Sequence, residues 1–577
     1  MELQGKGAAP GVAVGRVYVY NKKISIPAER FISAGEEQSH LNRYLSVKEQ
    51  ALEELEKIKV SMSKVDPSKA EIFGAQKEII EDIIINEEIP AKIKNERWAG
   101  DWAIYTVYET VLSVLRKTAD SLIAERSSDF EDVRALLLRF WNNETTTGLS
   151  DLAEPVIIAA EDLLPSDIGA IGDKKNILAI LLEKGGITSH TAIIAKSCGI
   201  PAVVCVSQLL EHVKNSQLAA VNADEGKIIL DPDNAIVGDY NKKKEIFLNE
   251  KKETAAFLKN DGCTACGVKI DIGLNISSAD ASELGASEYT DSVGVFRTEF
   301  IYMGRSTLPT EEEQFLIYKK TLESYGDRPV VLRTLDIGGD KKLESTELPR
   351  EDNPFLGNRA LRFCFSRPDI FKTQIRATLR ASVFGNLWLM LPMVGSLDDI
   401  RKAKEFITLT KKELKKENKP FKEIKIGIMI EIPAIAYIAD LAAKEVDFAS
   451  IGSNDLIQYL CAADRMNSAV EEYYQSFHPS MLRLIKETIA AFDSAGKPIS
   501  ICGEMGSDPL AIPVLLGLGM RKLSMGSASV AAVKRVLAGL TIVQCEELAA
   551  GALQLSTADE IKEFLNNKCS TGHTPRH

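Results

Sequence analysis

Between residues 266 and 530 the chain repeats one pattern: a short, almost unbroken apolar run, then a stretch of helical periodicity. The runs are VKIDIGLNI (268–276), SVGVFRTEF (292–300), PVVLRTLDI (329–337), NLWLMLPMV (386–394), IKIGIMIEI (424–432), VDFASIGSND (446–455), PISICGE (498–504) and KLSMGSA (522–528). A strand wetted on one face alternates apolar with polar residues. A strand covered on both faces is apolar throughout, and parallel strands joined by helices are of that kind. Eight such units in about 300 residues predict a (β/α)8 barrel. Such barrels carry their chemistry at the C-terminal ends of the strands, so the pattern also says where to look for a site.

The polar residues that break these runs fall at those ends. Arg297 ends the second run, Arg333 and Asp336 the third, Glu431 the fifth, Asn454 and Asp455 the sixth, and Cys502, Gly503 and Glu504 the seventh. Arg359 lies in NPFLGNRALR and Arg465 in AADRMN. Charges in apolar strands are costly to bury without partners, so their meeting at one mouth predicts a functional cluster. Arginines grip phosphate and carboxylate through forked hydrogen bonds. Glu431 and Asp455 suit a hard divalent cation that keeps waters and substrate oxygens as its other ligands; the alternative for either is an ion pair with an arginine. The set implies phosphoryl transfer or enolate chemistry on a small anion. No Walker A loop is present, so a P-loop nucleotide site is unsupported.

Upstream, GGITSHTAIIAKSCGIPAVV (185–204) places His190, one of six histidines, after a glycine pair and Thr188-Ser189. Ser189 is a good N-cap for the apolar helix that follows. In the first turn, the helix dipole disfavours a protonated ring and favours a bound anion. A neutral imidazole there suits a phosphate-accepting nucleophile; a capping histidine at an ordinary helix start fits the same pattern. Residues 1–20 read as a β-unit, 30–145 as an all-helical insert of two hairpins, 150–230 as mixed α/β with five short strands, and 241–260 as a charged linker helix. Glu78, Glu81, Asp82, Glu87 and Glu88 cluster in one helix and its end, as a solvated face or a docking surface for a basic partner.

A net charge of −12 argues against a nucleic-acid binder. No stretch approaches the ~20 apolar residues of a membrane span, and MELQGKGAAPGVAVG lacks the pattern of a signal peptide. Nine scattered cysteines fit free thiols and the cytoplasm; Cys263 and Cys266 form the only close CxxC pair, read as structural.

The phosphohistidine-like segment, with FRTEFIYMGRSTLPTEEEQF, LRTLDIGGDK, NPFLGNRALR, MIEIPA, SIGSNDLIQYLCAADRMN and CGEMGSDPLAIPVLLGLG, closely resembles the phosphoenolpyruvate-protein phosphotransferases, enzyme I of the bacterial sugar phosphotransferase system. The resemblance covers essentially the whole chain. It implies a multidomain α/β protein: a swivelling α/β phosphohistidine domain (1–20 with 146–232), an all-helical HPr-binding insert (21–145), a linker helix (233–262), a phosphoenolpyruvate-binding (β/α)8 barrel (263–568) and a polar tail (569–577). The tail, NNKCSTGHTPRH, reads as disordered. The resemblance makes His190 the phosphoryl acceptor and Thr188 its hydrogen-bonding support. Arg297, Arg333, Arg465, Asn454 and Arg359 bind phosphoenolpyruvate, Glu431 and Asp455 hold Mg²⁺, and Cys502 donates the proton that makes pyruvate. It implies the phosphocarrier protein HPr as partner and a homodimer through the barrel, with neither nucleic acid nor membrane insertion. Ile187 stands where the family has arginine, Asn358 where it has an aromatic residue, and Gly506-Ser507 where it has Ala-Gly. A dikinase-type relative would need a nucleotide-grasping domain that the 150 residues before the motif are too few to form. A phosphohistidine scaffold with a degraded barrel conflicts with the full set of barrel-mouth residues.

Overall fold

The computed structural model describes residues 1–20, 26–63, 67–115, 121–142, 152, 154–163, 176–184, 186, 191–192, 195–196, 199–303, 305, 307–339, 341, 343, 345 and 351–571. The chain divides into two compact units, Met1–Lys251 and Lys252–His577.

The first unit joins a sheet to a helical module. Its eight strands are β1 (Glu2–Gln4), β2 (Lys6–Ala9), β3 (Val12–Tyr20), β4 (Val156–Ala160), β5 (Ile177–Leu182), β6 (Ala202–Val204), β7 (Leu218–Asn222) and β8 (Lys227–Leu230), ordered β1-β8-β7-β3-β4-β5-β6-β2. β3 to β6 run parallel, and β1 and β2 pair antiparallel at opposite edges. The alternating valines lie on β3, and all five short strand runs of 150–230 form strands. β1 and β2 were not separately expected, because runs of three and four residues carry little period-2 signal. Between them, Gly5 and Gly226 approach so closely that a Cβ on Gly226, at φ +66°, would meet the Gly5 carbonyl oxygen at 2.2 Å. Ile158, Ile180 and Ala192 pack on one face of the sheet, and Ile157, Leu181 and Val221 on the other.

Between β3 and β4 the insert forms α1 (Glu37–Ser63), α2 (Pro67–Glu81), α3 (Ile83–Asn95), α4 (Gly100–Leu115) and α5 (Ser121–Trp141) around Tyr44, Leu55, Ile89, Ile104, Tyr108 and Leu137. Five helices replace the two hairpins expected. The helical stretch EIFGAQKEIIEDIIINEEI breaks at Asp82, whose carboxylate accepts the Ile85 N–H at 3.1 Å and starts α3. One member of the acidic cluster is thus an N-cap. Asp82→Ala is expected to lower the stability of the helical module by about 1 kcal/mol, read as a lower urea midpoint with an unchanged slope.

In the second unit, β9 (Asp271–Ile276), β10 (Ser292–Arg297), β11 (Pro329–Arg333), β12 (Asn386–Leu391), β13 (Lys425–Ile430), β14 (Phe448–Gly452), β15 (Ile499–Cys502) and β16 (Lys522–Met525) close a parallel barrel, β16 pairing with β9. Every expected strand is present. Most stop a few residues short of the expected C-terminal end, because the polar residues there already belong to the loops of the mouth. The bore is filled by Val295, Val331, Trp388, Met390, Met429, Phe448 and Cys502. Gly427 makes room for Phe448, whose ring a Cβ would meet at 2.6 Å. The linker helix spans Asn234–Ala256, beginning seven residues earlier than its charged stretch suggests. A terminal helix, Ala558–Thr571, carries the chain into the stretch expected to be a disordered tail. Among the described residues no single helix is long and apolar enough to cross a membrane.

Candidate active site

The barrel register assembles the mouth. β10 and β11 pair with Arg297 opposite Arg333, and β14 and β15 with Gly452 opposite Cys502. The residues just beyond these ends surround a cavity of about 240 Å³ lined by Arg297, Glu299, Arg333, Lys341, Glu431, Asn454, Asp455, Arg465, Cys502 and Gly503, with Asn275, Val295, Phe300, Met429 and Gly452. Seven of the eight barrel residues to which the family resemblance gives a role therefore converge, while Asp336 and Glu504, also singled out at strand ends, do not line the cavity. The eighth, Arg359, does not face the cavity: it is fully buried behind it. His190 and Thr188, with Ile187, lie outside the described residues. Thr191 and Ala192 directly after them are helical and buried, and the Thr191 hydroxyl donates to the Leu163 carbonyl at 3.1 Å.

The charges are held by one another. Arg359 bridges two carboxylates: its Nε donates to Asp336 Oδ1 and its Nη1 to Asp455 Oδ1, both at 3.0 Å, while Nη2 reaches the second oxygen of each at 3.2 Å. Arg333 donates to Glu299 and lies 3.1 Å from Asp336. Lys341 Nζ joins the same two acids, at 2.7 Å to Glu299 and 2.9 Å to Asp336. Arg465 stands 3.9 Å from Asp455. Burial works against the charge on Asp336, but Lys341, Arg333 and Arg359 outweigh it and hold its carboxyl well below the usual range. Burial likewise opposes the charges on Arg333 and Arg359, yet the neighbouring carboxylates hold both above the usual arginine value.

Glu431 is the exception. It is 1 % exposed, its Oε1 accepts the Met393 N–H at 2.5 Å, and its Oε2 is buried with no hydrogen-bond partner. Burial, then the charges of Asp455 and Asp336, push its pKa up to about 8. A Cβ on Gly452 would lie 3.0 Å from that Oε2, so glycine keeps the space beside it open. An unpartnered carboxylate oxygen next to Asp455 fits a divalent cation. Among the described residues no group of three or more His, Cys, Asp or Glu side chains is placed to hold a metal. Such an ion would therefore draw its remaining ligands from substrate and water.

Cys502 closes the floor. Its Sγ accepts from the Ser450 hydroxyl at 3.4 Å and lies 3.5 Å from the Ile451 carbonyl. Burial pushes the thiol pKa up, against the Ser450 hydrogen bond and the Arg333 charge, so it is a neutral acid near pH 7. Asn454 Oδ1 accepts the Glu504 N–H at 3.1 Å, which ties the β14 and β15 loops together. Gly503, at φ +97°, must be glycine: a Cβ would come within 2.4 Å of the Ser453 hydroxyl. Glu299, Lys341 and Ser450 were not found from the sequence. Glu299 sits two residues past Arg297 in FRTEF, on the turn leaving β10, and that spacing was the available signal.

The cavity suits a small, multiply charged anion: three arginines and a lysine line it together with a thiol acid and the carboxylates of Glu431 and Asp455, of which Glu431 keeps one oxygen without a hydrogen-bond partner.

Residues 251–542 match a family model described as PEP-utilising enzyme, PEP-binding domain, residues 152–226 one for the mobile domain of PEP-utilising enzymes, and residues 4–126 one for their N-terminal region. Proteins named phosphoenolpyruvate-protein phosphotransferase from Bacillus sp. (strain S) and Geobacillus stearothermophilus are each 38% identical over 570 residues, 98% of this chain and 98% of theirs. One of the same name from Priestia megaterium is 38% identical over 574 residues, 99% of this chain and 100% of its own.

Proposed function

We propose a course of phosphoryl transfer for this chain, which belongs to the family of phosphoenolpyruvate-protein phosphotransferases. It is an enzyme that takes the phosphoryl group from phosphoenolpyruvate and passes it, through a histidine of its own, to the carrier HPr of the sugar phosphotransferase system. The observation that carries the site assignment is the convergence of Arg297, Arg333, Arg465, Glu431, Asp455 and Cys502 on one cavity.

Phosphoenolpyruvate binds with its phosphate against Arg297, Arg333 and Arg465, helped by Asn454. Arg359 acts from behind by fixing the orientation of Asp455. Glu431 and Asp455 would hold Mg²⁺, which would supply neutralisation of charge on the substrate oxygens. His190 Nε2 attacks the phosphorus in line and the P–O bond to the enol oxygen breaks, leaving the pyruvate enolate. Cys502 gives its proton to the enolate carbon, forming pyruvate. The arginines stabilise charge on the transferring group, and this electrostatic contribution is the main source of rate in such reactions. His190, in the first unit, then delivers the phosphoryl group to a histidine of HPr docked on the helical module, so the phosphohistidine domain swings between two sites. A cytoplasmic location and a homodimer through the barrel complete the reading.

The test separates the two half-reactions. Cys502→Ala is expected to slow pyruvate formation from phosphoenolpyruvate by about 10²- to 10⁴-fold. Phosphoryl exchange from phospho-HPr onto the chain, which does not use the barrel mouth, stays at the wild-type rate. Equal loss in both assays removes Cys502 from the acid role, and wild-type pyruvate formation removes the cavity as the site of enolate protonation.

A further inference from the structure

Seven residues after the linker helix ends, and shortly before the first barrel strand, the chain enters a tight turn that carries Cys263 and Cys266. Cys263 pairs in an isolated antiparallel bridge with Lys269, and the Gly267 N–H closes the turn on the Thr264 carbonyl at 2.9 Å, with Gly267 at φ +80°. The turn is pinned from outside by the Ala265 N–H, which donates to the Leu540 carbonyl at 2.8 Å. Cys266 is exposed and Cys263 half-buried, both as free thiols.

The polar atoms of the turn are arranged around one sulfur. Thr264 is 4 % exposed, and its hydroxyl lies 3.2 Å from Cys266 Sγ. That hydroxyl accepts the Val268 N–H at 3.1 Å, so its own proton is free to point at the sulfur or at the Val268 carbonyl 3.3 Å away. A hydroxyl held in place beside an exposed sulfur, and able to donate to it, favours its thiolate, the attacking form in disulfide exchange. The Thr264 hydrogen bond, with backbone groups at Ile542 and Val268, lowers the Cys266 pKa from the ordinary thiol value. The second cysteine lies three residues away on the same turn, the Cys-x-x-Cys spacing of dithiol exchange sites.

We propose that Cys263 and Cys266 form a thiol–disulfide exchange site for low-molecular-weight disulfides. The Cys266 thiolate attacks one sulfur of the small disulfide; the S–S bond breaks, one thiolate leaves and takes up a proton, and a mixed disulfide forms on Cys266. The Cys263 thiol then loses its proton to water and attacks Cys266 Sγ, expelling the second small thiol. The balance is two protein thiols oxidised to one bridge and one small disulfide reduced to two thiols. The site is independent of the phosphotransfer chemistry, because no atom of the barrel mouth takes part.

The test exposes the full-length protein to oxidised glutathione at pH 7, quenches with an alkylating agent and maps the thiols by mass spectrometry. Both cysteines fall in one tryptic peptide, Asn260–Lys269, so the bridge is read as the loss of two hydrogens from that peptide. Wild type is expected to give the bridge. Cys263→Ser is expected to accumulate the mixed disulfide on Cys266, and Cys266→Ser to leave Cys263 reduced over the same interval. Thr264→Val is expected to slow the reaction about threefold, the net of less thiolate and a more nucleophilic sulfur. Mixed disulfide accumulating on wild type without a bridge, or equal reaction of the two serine variants, overturns the proposal; so does an unchanged rate for Thr264→Val.

Discussion

Replacing His190 by alanine abolishes the acid-labile, base-stable label that phosphoenolpyruvate and Mg²⁺ leave on the chain, a fall on the order of 10⁶-fold, comparable to the loss of a covalent nucleophile elsewhere. Two of the other histidines are engaged elsewhere in the fold. The chain has six. His40 Nδ1 accepts the Gly100 N–H at 3.1 Å beside Trp141, and His478 Nδ1 accepts the Ser480 N–H at 3.2 Å, capping the helix Pro479–Ser494. Each of those two has its Nδ1 committed at a helix start. His190 is followed at once by two buried helical residues, Thr191 and Ala192, and lies, as His212 does, within the match to the mobile domain of PEP-utilising enzymes; it alone follows the Gly-Gly-Ile-Thr-Ser segment. Label persisting on His190→Ala at the wild-type level would sink the assignment, and label moved to His40 or His478 would show that helix capping does not protect a ring from phosphorylation.

Arg359→Met produces the second large effect, although Arg359 touches neither the cavity nor the substrate placed there. Its guanidinium makes four hydrogen bonds to Asp336 and Asp455, and a thioether leaves both carboxylates with weaker support. Asp336 keeps Lys341 and Arg333, but Asp455 keeps only Arg465 at 3.9 Å among the cations. Breaking a buried pair from one side costs about 3–5 kcal/mol, read as a lower urea midpoint of the barrel transition. An Asp455 no longer held in place lowers pyruvate formation by about 10²-fold. Arg359→Lys is expected to rescue little, since a point charge cannot bridge two carboxylates as a planar fork does. A wild-type midpoint together with a wild-type rate would refute this account.

The barrel was legible because strands buried on both faces have largely apolar middles, and the mouth was legible because arginines, carboxylates and a cysteine gather at the C-terminal ends of those runs, where such a barrel carries its chemistry. The pairing of those charges was not. Whether Arg359 meets substrate or two carboxylates depends on where the loop around it folds back between β11 and β14, and local sequence carries no trace of that distance. Glu299 escaped for a related reason: its partners Arg333 and Lys341 are brought to it by the register of β10 on β11. The helical insert was recognised as helical, but its joints were not, since the break at Asp82 falls inside a stretch of helical composition on both sides and depends on a single cap. Strands β1 and β2 were too short for periodicity to mark.

Those two short strands have a consequence for the order of events during synthesis. Residues 2–4 and 6–9 form opposite edges of one sheet, and their partners are residues 227–229 and 202–204. The amino group of Met1 meets the Leu230 carbonyl, 229 positions along the chain. Neither edge of the sheet is covered until some two hundred further residues have been translated, and every residue of the helical module is made in that interval. On a growing chain the module completes itself first, and the sheet carrying the histidine segment is sealed last.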